Sequence, residues 1–315
     1  MLREVYTLAD LRDWDAVMGG EAVPIRLSVF GDPVAHSRSP QMHNAALAAA
    51  GIPARYTRLH ILPGELEEAL RLLPERGFIG TNVTLPHKAA VLALMDEVDA
   101  GARRTGAVNT VVVRDGTLVG YSTDGPGLAR AIRADFGAEL RDLRVLILGA
   151  GGGAGRAIAV QCATEGSRRL VLVNRTFEKA AALAAELKPD FAAPGEPGGM
   201  PRLEAIAWSE EAMSGQMAEI DLIINATPLG MHGAAASPIP ARLLRPGQMV
   251  YDAVYGAGRT ALLAAAEEAG ARCADGSSML LHQGALAFEI WFGRPAPLEE
   301  MRRALEAASQ WKGER

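Results

Sequence analysis

The stretch LRVLILGAGGGAGRAI, residues 143–158, decides how this chain is read: an apolar run, a glycine cluster and a helix-forming segment follow one another without a break. A short unbroken run of Val, Leu and Ile predicts a strand buried on both faces, as in a parallel sheet. Glycine lets the backbone approach a pyrophosphate closely. The first helical turn adds N–H groups without intrahelical partners and the positive end of the helix dipole. A second apolar run ends at Val171-Leu172-Val173. Strand, turn, helix and strand together predict a doubly wound dinucleotide-binding unit whose cofactor contacts come from Gly149, Ala150, Gly151, Gly152, Gly153 and Ala154.

With 315 residues the chain is long for a single core, so two domains are expected. The net charge of −5, with no basic stripe interleaved with aromatics, points away from a nucleic-acid partner and toward a small molecule. The two cysteines, Cys162 and Cys273, have neither metal-type nor disulfide-framework spacing, and the six histidines show no clustered ligand pattern. No metal is expected, and the setting is expected to be the cytoplasm. The first residues mix acidic, basic and apolar side chains unlike a signal or transit peptide, and no apolar run reaches membrane-spanning length.

Taken in order, residues 1–24 carry a weak helical pattern (Leu8, Leu11, Trp14, Val17) and read as an appended N-terminal arm. A strand at 25–30 leads into a loop holding His36-Ser37-Arg38-Ser39-Pro40 and a helix at 40–50, with Ser39 as N-cap and Pro40 at the first helical position. That assignment occupies Ser39 but leaves Ser37 unexplained, and two hydroxyls at a helix start suit a carboxylate ligand. A strand at 55–60, a helix at 64–76, a strand at 77–84 and a helix from Pro86 continue a parallel or mixed α/β domain. Pro86 at a helix start would put Lys88 in the first turn. There the dipole and partial burial would lower its pKa and suit it to acid–base work. A charged helix is expected around 96–104, followed by a strand at 111–114, a hairpin turn at Asp115-Gly116 and a strand at 117–121. Asp124 reads locally as a helix cap ahead of Pro126, and Asn109 as a turn residue.

The ordered set HSRSP (36–40), NVTLPHK (82–88), GAVNT (106–110) and STDG (122–125), followed by the glycine turn, resembles the shikimate dehydrogenase family. The resemblance runs from residue 25 to the C-terminal helix. It implies NADPH-dependent reduction of 3-dehydroshikimate to shikimate, on the way to chorismate and the aromatic amino acids. It implies a mixed-sheet substrate domain, residues 1–124 completed by 278–315, and a Rossmann NADP domain, residues 125–277, with the active cleft between them. Lys88 and Asp124 match the catalytic pair, and Ser37 and Ser39 the pair that holds the substrate carboxylate. Asn82, Thr84, Asn109 and Gln283 match substrate contacts, and Tyr255 a tyrosine lying against the carboxylate.

The strand at 170–173 ends in Asn174-Arg175-Thr176, where an NAD-binding chain would place an acidic residue for the ribose 2′-hydroxyl. Arg175, with Lys179 one turn on, suits a 2′-phosphate instead, so NADP is expected over NAD. The family resemblance agrees, and adds Ala226, Thr227, Val254 and Ser278 as cofactor contacts. Residues 189–201 read as a loop; strands are expected at 203–207, 220–224 and 249–253, and long helices close the chain. Three positions depart from the family pattern: the glycine turn carries one residue more, Ser122 stands where asparagine is common, and Ser278 where a glycine approaches the nicotinamide. A quinate or amino-substituted paralogue, or a non-catalytic metabolite-sensing module, stays open beside the main reading, as does the choice between monomer and homodimer.

Overall fold

The computed structural model describes residues 3–191, 202–231, 237–256 and 258–310. They form two compact units: the chain up to Thr123 together with the chain from Leu281, and the intervening segment Asp124–Leu280.

The first unit is built on a seven-stranded mixed sheet. Its strands are β1 (Val5–Thr7), β2 (Ile25–Gly31), β3 (Arg55–His60), β4 (Gly80–Val83), β5 (Glu97–Val98), β6 (Thr110–Arg114) and β7 (Thr117–Tyr121), in the order β1-β3-β2-β4-β6-β7-β5. β1, β3, β2 and β4 run parallel, and β6 is antiparallel to both β4 and β7. The β6–β7 hairpin turns at Asp115 and Gly116, with φ of 51° and 82°, the two left-handed positions that an Asp-Gly pair accommodates. The segment read as an appended arm is built into this unit. β1 pairs with Arg58–His60 of β3, and Tyr6, Leu8, Leu11 and Trp14 are buried, with the Trp14 ring 5.3 Å from both Tyr6 and Phe78. A three-residue strand leaves too short an alternation to stand out in sequence.

Two further expectations change here. No α-helix follows Pro86: residues 85–89 are a turn and Ala90–Leu94 a short 3₁₀ segment. The Lys88 carbonyl, which a continuing helix would give to residue 92, instead accepts the Val108 N–H at 2.8 Å. Lys88 therefore does not sit in a first helical turn, and the dipole argument for it lapses. The charged helix around 96–104 is β5 followed by Ala100–Thr105, capped by the Asp99 carboxylate on Gly101 N–H and ended by Gly106 at φ 68°.

The second unit holds six parallel strands: β8 (Arg144–Leu148), β9 (Arg169–Val173), β10 (Leu203–Ile206), β11 (Leu222–Asn225), β12 (Met249–Asp252) and β13 (Arg272–Asp275). Their order β10-β9-β8-β11-β12-β13 is 3-2-1-4-5-6 counted from β8, the doubly wound arrangement. β13, an edge strand of partly exposed residues, is absent from the sequence reading, because Arg272, Cys273, Ala274 and Asp275 make no apolar run. The strand order reverses between β8 and β11. The glycine turn leaves the end of β8, and Ala226-Thr227 leaves the end of β11. The loop expected at 189–201 lies mostly outside the described residues. Among the described residues, no helix is long and apolar enough to cross a membrane.

Candidate active site

In the first unit the polar residues expected around a substrate include two hydrogen-bonded pairs, Ser37 with Ser39 and Asn82 with Asn109. The helix Ser39–Ala49 begins one residue earlier than expected, with Arg38 as N-cap and Pro40 inside the first turn. Ser39 is therefore not the cap. It is the Ser37 hydroxyl that accepts from an orphan donor, the Ser39 N–H at 3.3 Å, and Ser39 itself is buried. The turn carrying Ser37 is pinned from β3: Arg58 donates through Nε and Nη2 to the Ser37 carbonyl at 2.9 and 2.5 Å, and through Nη2 to Gln41 Oε1 at 3.2 Å.

Asn82, on β4, is buried. Its Oδ1 accepts from the Tyr56 hydroxyl at 2.8 Å, and its Nδ2 donates to the Asn109 carbonyl at 3.2 Å and Thr110 Oγ1 at 3.0 Å. Asn109 is more than a turn residue. Its Oδ1 accepts the Thr123 N–H at 2.8 Å, and its Nδ2 donates to Thr123 Oγ1 at 2.9 Å, so it fastens the last residue of the first unit, next to Asp124 in sequence. Thr84 follows β4 with its N–H on the Phe30 carbonyl at 2.9 Å; its methyl lies 2.5 Å from where a Cβ on Gly31 would stand, so that glycine is obligatory. Lys88 is half-buried, and Gln283 is half-buried on the helix Ser277–Phe292.

Sequence reasoning missed Tyr56, His43 and Arg58. The signal was present: Tyr56 and Arg58 are two apart on one strand, and His43 lies one helical turn past Ser39. The His43 ring stacks on Tyr56, centroids 4.5 Å apart at 10°, and is fully buried. Burial pushes its pKa down to about 3, with the Asn82 side chain acting in the opposite direction. The unfolded histidine takes up a proton near 6.5, the folded one only near 3. Between those values the unfolded state binds more protons, so stability is expected to fall as pH drops through that window, by an amount on the order of 5 kcal/mol at full extent. Urea denaturation of the wild type and His43→Phe at pH 7 and pH 4 checks this; the wild type is expected to lose more stability on acidification, and parallel losses would refute it.

In the second unit the glycine turn separates into glycines with different duties. A Cβ on Gly149, already at φ 86°, would meet the Thr227 methyl at 2.7 Å. On Gly151 it would meet Lys179 Cβ at 2.6 Å, and on Gly155 the Gly149 carbonyl at 2.1 Å. Gly152 has only an ordinary contact there and Gly153 none. The forced pattern is thus G-x-G-x-x-x-G, and the crowding at 152 and 153 is sterically free. The Gly149 and Ala150 N–H groups bond to the Val173 carbonyl, Gly151 N–H to Asn174 Oδ1, and Gly152 N–H to the Gly149 carbonyl. Ala150 is fully buried, so it supports the turn from beneath instead of facing a ligand. Gly153 and Ala154 open the helix Gly153–Thr164, where N–H groups lack intrahelical acceptors and suit a phosphate.

A cavity of about 680 Å³ beside this turn is lined by Gly151, Asn174, Arg175, Thr176, Lys179 and Thr227, among others. Arg175 and Lys179 are exposed, and Asn174 Nδ2 closes the turn on the Thr176 carbonyl at 2.9 Å. The β11 end is organised by a buried carboxylate. Asp252 accepts from Asn225 Nδ2 at 2.8 Å, Thr260 Oγ1 at 2.6 Å and Val254 N–H at 3.2 Å, and burial holds its pKa above the usual carboxylate range. Asn225 Oδ1 in turn accepts from the Thr227 N–H and hydroxyl at 3.1 and 2.7 Å, which aims Ala226-Thr227. Tyr255 is half-buried just beyond β12.

Ser278, the position marked for a missing glycine, has its hydroxyl on Asp135 and, at 3.1 Å, on Tyr251. The side chain is absorbed within its own unit. The glycine this segment requires is Gly276, where a Cβ would lie 2.2 Å from the Ala253 carbonyl. Asp124 is buried at the start of the helix Asp124–Phe136.

Comparison with known proteins gives this arrangement its context. A model of the shikimate dehydrogenase substrate-binding domain matches residues 29–111, one of shikimate/quinate 5-dehydrogenase residues 130–194, and one of the shikimate 5′-dehydrogenase C-terminal domain residues 276–306. A curated shikimate dehydrogenase (NADP(+)) of Moorella thermoacetica is 44% identical over 283 residues, 90% of this chain and 92% of its own length. The chain belongs to the shikimate dehydrogenase family. Among solved family structures, the shikimate 5-dehydrogenase of Thermus thermophilus in complex with NADP(H) and shikimate is 37% identical with a TM-score of 0.78, covering 90% of this chain and 99% of its own. A quinate dehydrogenase of Corynebacterium glutamicum in complex with NAD is 29% identical with a TM-score of 0.76, covering 90% and 99%. Within this family, Ser37, Ser39, Asn82, Thr84, Lys88 and Asn109 fall in the matched substrate-binding segment, whereas Asp124 and Tyr255 lie outside all three matched segments.

Proposed function

We propose that this protein is an NADP-dependent shikimate dehydrogenase, catalysing the reversible reduction of 3-dehydroshikimate to shikimate on the route to chorismate and the aromatic amino acids. Identity of 44% across nine-tenths of both chains to a relative of that activity carries the reading. The cofactor fits the residues present: a cavity of about 680 Å³ lies beside the glycine turn, lined by Gly151, Gly152, Arg175 and Lys179 among others, and β9 leads into Asn174-Arg175-Thr176 with no carboxylate there. When bound, NADPH supplies the hydride for the C3 carbonyl carbon of the substrate.

The chain's residues do the rest. Ser37 and Ser39 take the substrate carboxylate, with Tyr255 against it; Asn82, Thr84, Asn109 and Gln283 take its hydroxyl side. Lys88 gives a proton to the carbonyl oxygen in reduction and removes it in oxidation, and Asp124 orients Lys88 and hydrogen-bonds a substrate hydroxyl. Gly153 and Ala154 hold the pyrophosphate, Arg175 and Lys179 the 2′-phosphate, and Ala226, Thr227, Val254 and Ser278 lie toward the nicotinamide. On this reading residues 1–124 with 278–315 serve the substrate and residues 125–277 the cofactor. The enzyme works in the cytoplasm as a monomer or homodimer without a nucleic-acid partner.

The likeness to a quinate dehydrogenase bound to NAD keeps a second reading alive, a quinate-type enzyme. Arg175 speaks against NAD as the cofactor. Initial rates for shikimate and quinate, each with NADP and NAD, decide: shikimate with NADP is expected to exceed the other three combinations at least tenfold. Quinate with NAD in first place would reverse the assignment. Binding of shikimate without any nicotinamide absorbance change would mark a non-catalytic sensor.

A further inference from the structure

The substrate-side hydrogen bonds have a single allowed direction, and one backbone carbonyl sets it. The Asn109 carbonyl can only accept, so the Asn82 atom facing it is Nδ2, and Oδ1 is turned toward Tyr56. Oδ1 also only accepts, so the phenolic hydrogen of Tyr56 goes to it. The Tyr56 oxygen is then left as an acceptor. Both Asn82 hydrogens are occupied, on the Asn109 carbonyl and Thr110 Oγ1. What Asn82 retains for a ligand is one lone pair on Oδ1, which accepts from a ligand hydroxyl.

We propose that Tyr56 is a positioning residue for substrate: its hydroxyl donates to the Asn82 oxygen and holds that oxygen in place as an acceptor. Tyr56 is itself held. Its ring stacks on His43, and its backbone N–H and carbonyl are clasped by the Asn44 side chain at 2.8 and 2.9 Å. A phenol anchored on three sides is a rigid post in a low-dielectric setting, where a fully satisfied network fixes geometry. The inference rests on the reading of Asn82 as a substrate contact.

Tyr56→Phe keeps the ring on His43 and deletes only the hydroxyl. It is expected to raise KM for shikimate about 3- to 10-fold, the worth of roughly one neutral hydrogen bond. KM for NADP and kcat are expected to stay within about twofold, a split that a general loosening of the fold would not produce. In a cycle with Asn82→Ala, the Tyr56→Phe effect is expected to vanish once Asn82 is gone. An unchanged KM for shikimate in Tyr56→Phe, a parallel change in all three constants, or full additivity with Asn82→Ala would each overturn the proposal. Should Asn82→Ala itself leave KM for shikimate unchanged, the assignment of Asn82 as a substrate contact falls, and the proposal with it. Should Asn82→Ala raise KM while Tyr56→Phe does not, only the role of Tyr56 falls.

Discussion

Lys88→Ala is expected to lower kcat for 3-dehydroshikimate reduction by about 10²- to 10⁴-fold, the range for losing a positioned general acid. The backbone bond at this position, from Val108 N–H to the Lys88 carbonyl at 2.8 Å, is retained in the variant. Asp124→Ala should fall in the same range, and the double variant should be little worse than either single one, since residues acting as a unit are strongly non-additive. Thermal unfolding alongside initial rates makes the test clean. Near-normal turnover in either folded variant would remove the pair from the chemistry.

Arg175→Ala is expected to raise KM for NADP about 10- to 100-fold, the worth of charge-assisted bonds to a phosphate, while KM for NAD moves less than twofold. The side chain is exposed at the end of β9, so its attraction to a dianion is open to screening. KM for NADP in the wild type should therefore rise with ionic strength more steeply than in the variant. Lys179, whose Cβ sits 2.6 Å from the position a Cβ on Gly151 would take, stands against the same turn. Its removal should add to the loss of Arg175, though by less, since a point charge lacks the bidentate fork. Equal KM changes for NADP and NAD would show that Arg175 does not read the 2′-phosphate.

The second unit was legible because its strands carry their own signal. β9, β11 and β12 are buried throughout and β8 from Val145 on, each carries an apolar run, and the glycines mark where the chain leaves β8. The first unit was legible by its motifs more than by its periodicity. Segments of irregular backbone are not legible locally: Pro86 has the profile of a helix start, and Val108, twenty residues on, claims the carbonyl that decides otherwise. The same local rule makes Ser39 a cap, and the chain places the cap one residue earlier.

By itself the sequence determined the doubly wound unit and the NADP-type strand end at Arg175. These depend on apolar runs, on glycine and on charge, which are properties of neighbouring residues. Only the tertiary structure decided that residues 5–7 complete the first sheet, that glycines 149, 151 and 155 are obligatory while 152 and 153 are free, and that Ser278 turns its hydroxyl to Asp135 and Tyr251. It also decided the direction of the bonds through Tyr56 and Asn82. Each of these is set by an atom distant in sequence, a carbonyl or a methyl brought within hydrogen-bond or van der Waals distance, and no local pattern encodes it.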